Sequence, residues 1–263
     1  MRRFDPPTVA LALLMTAAAA PACANAKMNP PMLALAFSTS EPGTDLPSGW
    51  RFHALSRKPR TTRFSVVDAA GIGVLRAQAD DAAGMIVHPL DLPATTTLIW
   101  RWKVDHALAD ANLSRKSGDD FAARVYVFFD VPDSALGFGE RIKLKLARLV
   151  YGQDLPVAAL CYVWANRAAV GTIAPSAYTR HIHTIVLESG NGHAGQWRAE
   201  SRDLGADYRA AFHSPPPRIS GIALASDTDN THARVRAWFG DLAFAPAAAT
   251  VRDPGAPQRS FPP

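Results

Sequence analysis

Residues Ile219–Phe244 constrain the fold more than any other segment of the chain. Apolar residues alternate with polar or small ones on both sides of an acidic turn, Asp227–Thr231, which predicts two half-buried strands joined as a β-hairpin. Past Gly240 the alternation changes parity, so a regular strand would turn the last apolar residues outward. A one-residue bulge at Gly240–Asp241 corrects this. The residues that such a bulge buries together are Phe239, Leu242 and Phe244.

Short alternating segments continue through most of the chain and predict an all-β protein. In Leu98–Val104 every second residue is apolar, while Arg101 and Lys103 occupy the opposite face, and Phe121–Asp130 alternates in the same way. Further strands are predicted at Phe64–Val67, Val74–Ala77, Met85–Val87, Ala158–Ala165, His181–Glu188 and Gln196–Arg202. Short helices are predicted at Gly139–Tyr151 and Asp203–Phe212. Many short strands between polar turns favour a single β-sandwich or jelly roll.

The N-terminal 26 residues have the pattern of a secretory signal peptide. Two arginines precede the apolar run Val9–Ala20, and a small-x-small cleavage pattern ends at Ala26. We therefore expect cleavage after Ala26 and a periplasmic or secreted protein. No later segment has the ~20 consecutive apolar residues of a membrane span. Residues 27–48 are expected to form an N-terminal extension, 49–245 the β-sandwich, and 246–263 a disordered tail rich in alanine and proline.

Charge and cysteine usage agree with an exported binding domain. The formal net charge is +5, but the basic residues are dispersed and no cluster is interleaved with aromatic residues, so no nucleic-acid partner is predicted. Cys161 lies within an apolar strand and has no partner once Cys23 leaves with the signal peptide. It is therefore predicted to be a buried structural cysteine.

Several segments together resemble a known family. They are WRFHALSRKPRTTRFSVVDAAGIGVLRAQADDAAGMI, LIWRWKVD, GDDFAARVYVFFD, LCYVWAN, IVLESG, WRAESRDLGADYRAAF and ISGIALASDTDNTHARVRAWFGDLAF. In this order they resemble the uncharacterised exported bacterial proteins called DUF3047, from about Trp50 to Phe244. The resemblance implies a bacterial envelope protein with a β-sandwich similar to galactose-binding-like jelly rolls. It implies no activity, because fold membership alone carries none.

No cofactor site is predicted. Residues Gly190–Gly195 match G-x-G-x-x-G, but a strand and not a helix is predicted to follow, so a flexible hairpin loop is the better interpretation. His181 and His183 lie on one strand face, yet no third ligand follows at zinc spacing, which favours two surface histidines. The signature motifs of zinc proteases, nucleophile-elbow hydrolases and P-loop enzymes are absent from the sequence.

The acidic turn is a candidate for a structural calcium site. Asp227, Asp229 and Asn230 offer hard oxygen ligands, and Asp119-Asp120 would supply more if its loop lay nearby. The alternative is that these side chains bond loop amides, as Asp, Asn and Thr do in turns.

Four residues are predicted to face a ligand. Trp238 lies opposite the buried positions of its strand, beside two arginines, and Trp197 and Tyr126 also neighbour charged residues; Arg124 completes the set. Exposed aromatic rings stack against sugar C–H groups, which favours a saccharide. The alternative is that a second sheet or a loop covers these rings.

The sequence favours a noncatalytic binding module, possible partners being a saccharide or an envelope protein. The enzyme alternative needs two facing carboxylates, as in glycosidases. The candidates are Glu188, at the end of an apolar strand, with Asp119 or Asp120. A structural or assembly protein of the envelope is the third class.

Overall fold

The computed structural model describes residues 32–55, 60–131 and 158–247. Within these ranges the helical elements are α1 (Leu204–Phe212) and a 3-10 turn at Lys116–Gly118. The strands are β1 (Leu33–Leu35), β2 (Arg51–Ala54), β3 (Arg63–Asp68), β4 (Gly73–Asp80), β5 (Ala83–Leu92), β6 (Thr96–Val104), β7 (Arg124–Phe129), β8 (Ala158–Ala165), β9 (Ile173–Pro175), β10 (Ile182–Ser189), β11 (Arg198–Asp203), β12 (Ile219–Asp227), β13 (Arg234–Phe239) and β14 (Leu242–Pro246). The predicted signal peptide, the predicted helix Gly139–Tyr151 and residues 248–263 lie outside the described residues.

The strands form two seven-stranded sheets that pack face to face as a β-sandwich of the jelly-roll class, as predicted. Sheet 1 has the order β1-β14-β6-β13-β4-β3, and β11 also pairs with β6. Sheet 2 has the order β2-β5-β12-β7-β8-β10-β9. All pairs are antiparallel except β8 with β10, which are parallel. The segment expected as an N-terminal extension contributes β1, which pairs with β14.

The core lies between the sheets and contains the inward positions that the alternation predicts. On β6, Leu98, Trp100, Trp102 and Val104 are all buried. They meet the inward residues of sheet 2, and Trp100 contacts the ring of Tyr162 at 5.5 Å between centroids. Because side chains alternate across a strand, the opposite face of each sheet carries its own, separate set of residues.

The segment Ile219–Phe244 is not a hairpin, contrary to the prediction. β12 pairs with β5 and β7 in sheet 2, whereas β13 pairs with β4 and β6 in sheet 1. The acidic turn thus carries the chain from one sheet to the other. The apolar residues of β12 and β13 face each other across the core instead of lying side by side. Alternation identifies a buried face, but it does not identify the neighbouring strand.

The bulge predicted at Gly240–Asp241 is present. Phe239 is opposite Trp102 on β6, whereas Ala243 is opposite Ile99. The chain therefore advances by four residues from β13 into β14 while β6 advances by three. The extra residue returns the later apolar side chains to the core. The buried set is Phe239, Leu242 and Phe244, each with 0% exposure.

The loop Gly190–Gly195 also crosses between sheets, since it joins β10 of sheet 2 to β11 of sheet 1. The chain continues into a strand and not a helix, so the amide arrangement of a dinucleotide site does not form there. Several bonds anchor the loop, among them one from Gly195 N to Val104 O and one from Ala107 N to Asn191 Oδ1. The predicted hairpin at this place is therefore wrong.

Candidate functional site

The four predicted ligand-facing residues lie on opposite sides of the molecule. Trp238 and Trp197 are half-buried on the outer face of sheet 1, whereas Tyr126 is on β7, on the outer face of sheet 2. Arg124 is only 4% exposed, and its guanidinium bonds to Asp227 and Asp119. The prediction of Arg124 as a ligand contact is therefore wrong, because its donors already serve a buried ion pair. The four residues do not form one site.

A row of alternating cations and indoles crosses the outer face of sheet 1. Trp238 on β13 is opposite Arg76 on β4 and opposite Lys103 on β6, so these three side chains are aligned across neighbouring strands. Trp197, just before β11, extends the row because Lys103 Nζ lies 5.2 Å from its ring centroid. We call Arg76, Trp238, Lys103 and Trp197 the cation–indole row.

Cation–π contacts hold this row in place. Lys103 Nζ lies 4.5 Å from the Trp238 ring, and the guanidinium carbon of Arg101 lies 4.7 Å from the Trp197 ring. The guanidinium carbon of Arg236 lies 5.8 Å from the centroid of the Trp238 ring. Each such contact at an exposed site stabilises the pair by ~0.5–1 kcal/mol, which helps to orient the cations over the indole rings.

The surrounding face is strongly basic. Six cations project outward from β3, β4, β6 and β13 (Arg63, Arg76, Arg101, Lys103, Arg234 and Arg236). Two of them are paired, Arg234 with Asp80 and Arg236 with Asp105. The other four have no carboxylate within ion-pair distance in the described part of the chain.

A cleft of about 890 Å³ opens beside the row, at the rim of sheet 1. Arg63, Gln78, Arg236 and His106 are among the residues that line it. Arg236 lines the cleft and also approaches Trp238, so the cleft adjoins the cation–indole row.

The residues of the predicted calcium site have protein partners instead. Asp227 accepts bonds from Arg124 and from the amide of Phe121. Asn230 donates through both its backbone and its side chain to Asp120, and Asp229 also has a partner. No cluster of three or more His, Cys, Asp or Glu residues suited to a metal is found among the described residues. The bond from the Phe121 amide to Asp227 is the kind that the turn interpretation expects, whereas the Arg124 guanidinium and the Asp120 carboxylate are side-chain partners.

The predicted catalytic carboxylates are not assembled around one groove. Asp119 bonds to Arg124 and Asp120 bonds to Asn230, whereas Glu188 has a separate set of partners. Glu188 Oε1 accepts a 2.6 Å bond from Arg198 Nε, and Glu188 Oε2 lies 2.8 Å from His193 Nδ1. Its carboxylate is therefore paired with the Arg198 guanidinium.

Glu200, which was not among the predicted site residues, is the acid electrostatically coupled to Glu188. Its Oε1 accepts a 3.1 Å bond from Trp102 Nε1 at the edge where the two sheets meet. Burial raises the pKa of Glu200 from its ordinary value of 4.5 to about 7, and the charge of Glu188 adds to the increase. The bond from Trp102 and the charges of Arg198 and Arg202 oppose it.

The raised pKa of Glu200 predicts a pH-dependent stability. Between pH 4.5 and 7 the folded protein keeps a proton that the unfolded chain has released, so wild-type stability falls as pH rises through this window. The side chain in Glu200→Gln is neutral at every pH. The Tm of this variant minus the Tm of wild type should therefore increase between pH 4.5 and 7 and stay constant above pH 7. Thermal unfolding of both proteins over this range checks the prediction. A difference in Tm that stays constant between pH 4.5 and 7 would contradict the prediction.

The sequence contained a partial signal for the cation–indole row. Alternation places Lys103 outward on β6, and Trp238 outward on its own strand. Their adjacency depends on the pairing of β6 with β13, which lie far apart in the sequence. Arg76 was missed because nothing local indicates that β4 is the other neighbour of β13.

The fold defines a β-sandwich protein of the jelly-roll class. The chain belongs to the family described as "Protein of unknown function (DUF3047)", whose model matches residues 48–243. A search of curated protein sequences finds no match. No helix in the described residues is long and apolar enough to span a membrane.

Solved structures similar to this chain include several β-sandwich domains. The carbohydrate recognition domain of Emp47p has 12% identity and a TM-score of 0.42, with 82% of this chain and 95% of that chain covered. The xyloglucanase domain of NopAA from Sinorhizobium fredii has 6% identity and a TM-score of 0.40, with 78% and 97% covered. Cellulose induced protein Cip1 has 11% identity and a TM-score of 0.40, with 76% and 92% covered. Similarities at this level carry no argument about function.

Proposed function

We propose that this protein is an exported, noncatalytic domain of the bacterial envelope that binds a saccharide. The observation that carries the proposal is the cation–indole row on the outer face of sheet 1. Half-buried indoles provide flat apolar surfaces for sugar C–H groups, and the neighbouring Lys and Arg side chains supply hydrogen-bond donors for hydroxyl oxygens. Export is part of the proposal, and Lys27 as the mature N-terminus, read by mass spectrometry, tests it.

Binding without catalysis fits the charges on this face. General acid–base chemistry on a glycoside needs two carboxyl groups free to exchange protons. Two carboxylates of this face, Asp80 and Asp105, are instead bonded to Arg234 and Arg236. Both carboxylates are therefore engaged by arginine side chains.

Substitution of the central indole tests the proposal. Trp238→Ala should weaken glycan binding about tenfold, because an aromatic contact contributes ~0.5–1.5 kcal/mol beyond its buried area. Glycan-array screening followed by calorimetry on the best ligand measures the change. Tyr178→Ala is the matched control: Tyr178 is also an exposed aromatic residue with a lysine over its ring, but it lies near Lys116, away from the row. Equal losses in both variants, or no glycan binding by wild type, would favour an envelope-assembly role.

A glycan-active enzyme is the second candidate, and the edge pair Glu188 and Glu200 favours it. Glu188 is paired with Arg198, while burial raises the pKa of Glu200, and an acid–base pair needs two carboxyl groups in different environments. Saccharide turnover that is lost in both Glu188→Gln and Glu200→Gln would establish this function. Wild-type turnover retained in both variants would exclude the pair.

A further inference from the structure

We propose that the saccharide bound by the cation–indole row is an acidic polysaccharide carrying carboxylate groups. This inference rests on the proposed function and specifies its ligand class. It follows from the register of the row, from the surplus of positive charge around it, and from the position of the adjoining cleft.

The register of the row suits a polymer that lies across the strands. Arg76, Trp238 and Lys103 occupy paired positions on three adjacent strands, and Trp197 contacts Lys103 from beyond β6. Neighbouring strands are ~4.8 Å apart, so the row from β4 to β6 spans ~10 Å before Trp197 lengthens it. Cation and ring therefore alternate along one line, which matches a chain that repeats both an apolar sugar face and a negative group.

The charge of this face requires a negative partner. Arg63, Arg76, Arg101 and Lys103 lack a carboxylate within ion-pair distance in the described ranges. Arg76 is one example: its Nη2 reaches Ser65 Oγ at 3.2 Å, and no carboxylate of the described residues pairs with its guanidinium. A guanidinium with unused donors binds a carboxylate through two parallel bonds.

The rings hold the cations where an anionic ligand would meet them. Lys103 Nζ lies between two indoles, 4.5 Å from Trp238 and 5.2 Å from Trp197. Gly240 contributes as well, because any Cβ there would come within 2.6 Å of the Arg101 side chain, which lies against this glycine and extends to Trp197. Such preorganisation reduces the ordering cost of binding.

Two aspartates distinguish a sugar polymer from other polyanions. Asp80 and Asp105 stand among the arginines at the cleft. Carboxylates accept bonds from hydroxyl groups but repel a continuous run of phosphates. A ligand with both hydroxyl donors and spaced carboxylates satisfies the whole face, whereas a nucleic acid or an anionic lipid surface does not.

The test compares polysaccharides that differ only in charge. Polygalacturonate, alginate and hyaluronan are each paired with their carboxyl-reduced form, and binding to the full-length mature protein is measured by calorimetry at several salt concentrations. At least one acidic form should bind at least tenfold more tightly than its reduced counterpart, with an affinity that falls as salt increases. Arg76→Met and Lys103→Met should each lose about fivefold to tenfold for the acidic form alone. Lys116→Met, which removes a lysine held over Tyr178, should bind as wild type does.

The outcomes separate this inference from the proposed function. Equal binding of an acidic polymer and its reduced form would overturn the acidic ligand while leaving saccharide binding intact. Binding to none of the polymers, acidic or reduced, would overturn both. Equally tight binding of single-stranded DNA or of phosphatidylglycerol vesicles would show a general polyanion surface and contradict the inference. Wild-type affinity in both Arg76→Met and Lys103→Met would place the acidic ligand elsewhere.

Discussion

Arg124→Ala should destabilise the protein by about 3–5 kcal/mol, because it leaves a buried carboxylate without its cation. Arg124 donates from Nε to Asp227 Oδ1 at 2.9 Å, and its guanidinium also bonds the carbonyl of Asp119 and lies 4.4 Å from the Phe121 ring. The two carboxyl oxygens of Asp227 are engaged by this one side chain. Chemical denaturation of wild type and variant measures the difference in the free energy of unfolding.

Two further variants test whether the loss in Arg124→Ala comes from the buried ion pair. The double variant Arg124→Met with Asp227→Leu removes both charges of the pair and should recover part of the loss, since an apolar pair of similar volume replaces a buried ion pair. The recovery is incomplete because the Phe121 amide loses its acceptor. Arg218→Ala breaks the exposed pair with Asp91 and should cost less than about 1 kcal/mol. A loss in Arg124→Ala no larger than in Arg218→Ala would contradict the prediction.

Phe239→Ala should cost about 3–5 kcal/mol, as expected for truncating a core phenylalanine. The Phe239 side chain is fully buried at the last position of β13, next to the bulge that turns Leu242 inward. Its removal leaves a cavity where the closing strand meets β6. Urea denaturation of the variant provides the measurement.

Arg234→Ala, on the same strand, serves as the control for Phe239→Ala. Its side chain is 78% exposed, so the substitution should change stability by no more than about 0.5–1 kcal/mol. If the two substitutions lowered the free energy of unfolding by similar amounts, the buried face of β13 would contribute little to stability, contrary to the prediction.

Alternation predicted individual strand faces correctly. The inward set on β6 and the bulge at Gly240 were both found as expected, and Cys161 is buried as predicted. These features follow from the two-residue period of a strand and the exclusion of apolar groups from water, which are local properties. The N-cap of α1 is also local, because the Asp203 side chain accepts from the amide of Ala206 only three residues later.

Alternation did not predict which strands pair with one another or which sheet each strand joins. Both turns interpreted as hairpin loops, Asp227–Thr231 and Gly190–Gly195, carry the chain between sheets. The acidic turn is held by Asp120, which accepts bonds from Asn230 and Thr231 more than a hundred residues away in sequence. Contacts over such separations decide the connectivity, and no pattern within one turn encodes them.

Residue polarity along the chain was sufficient to predict the all-β class, the buried face of most strands, and the outward indoles of Trp197 and Trp238. Which outward side chains share a surface depends on how the strands pair. The tertiary structure buried Arg124 against Asp227, placed Tyr126 on the other sheet, and brought Arg76 and Lys103 beside Trp238. The physical reason is that burial follows from the polarity of each residue, whereas a binding surface depends on strand register between segments that are distant in the chain.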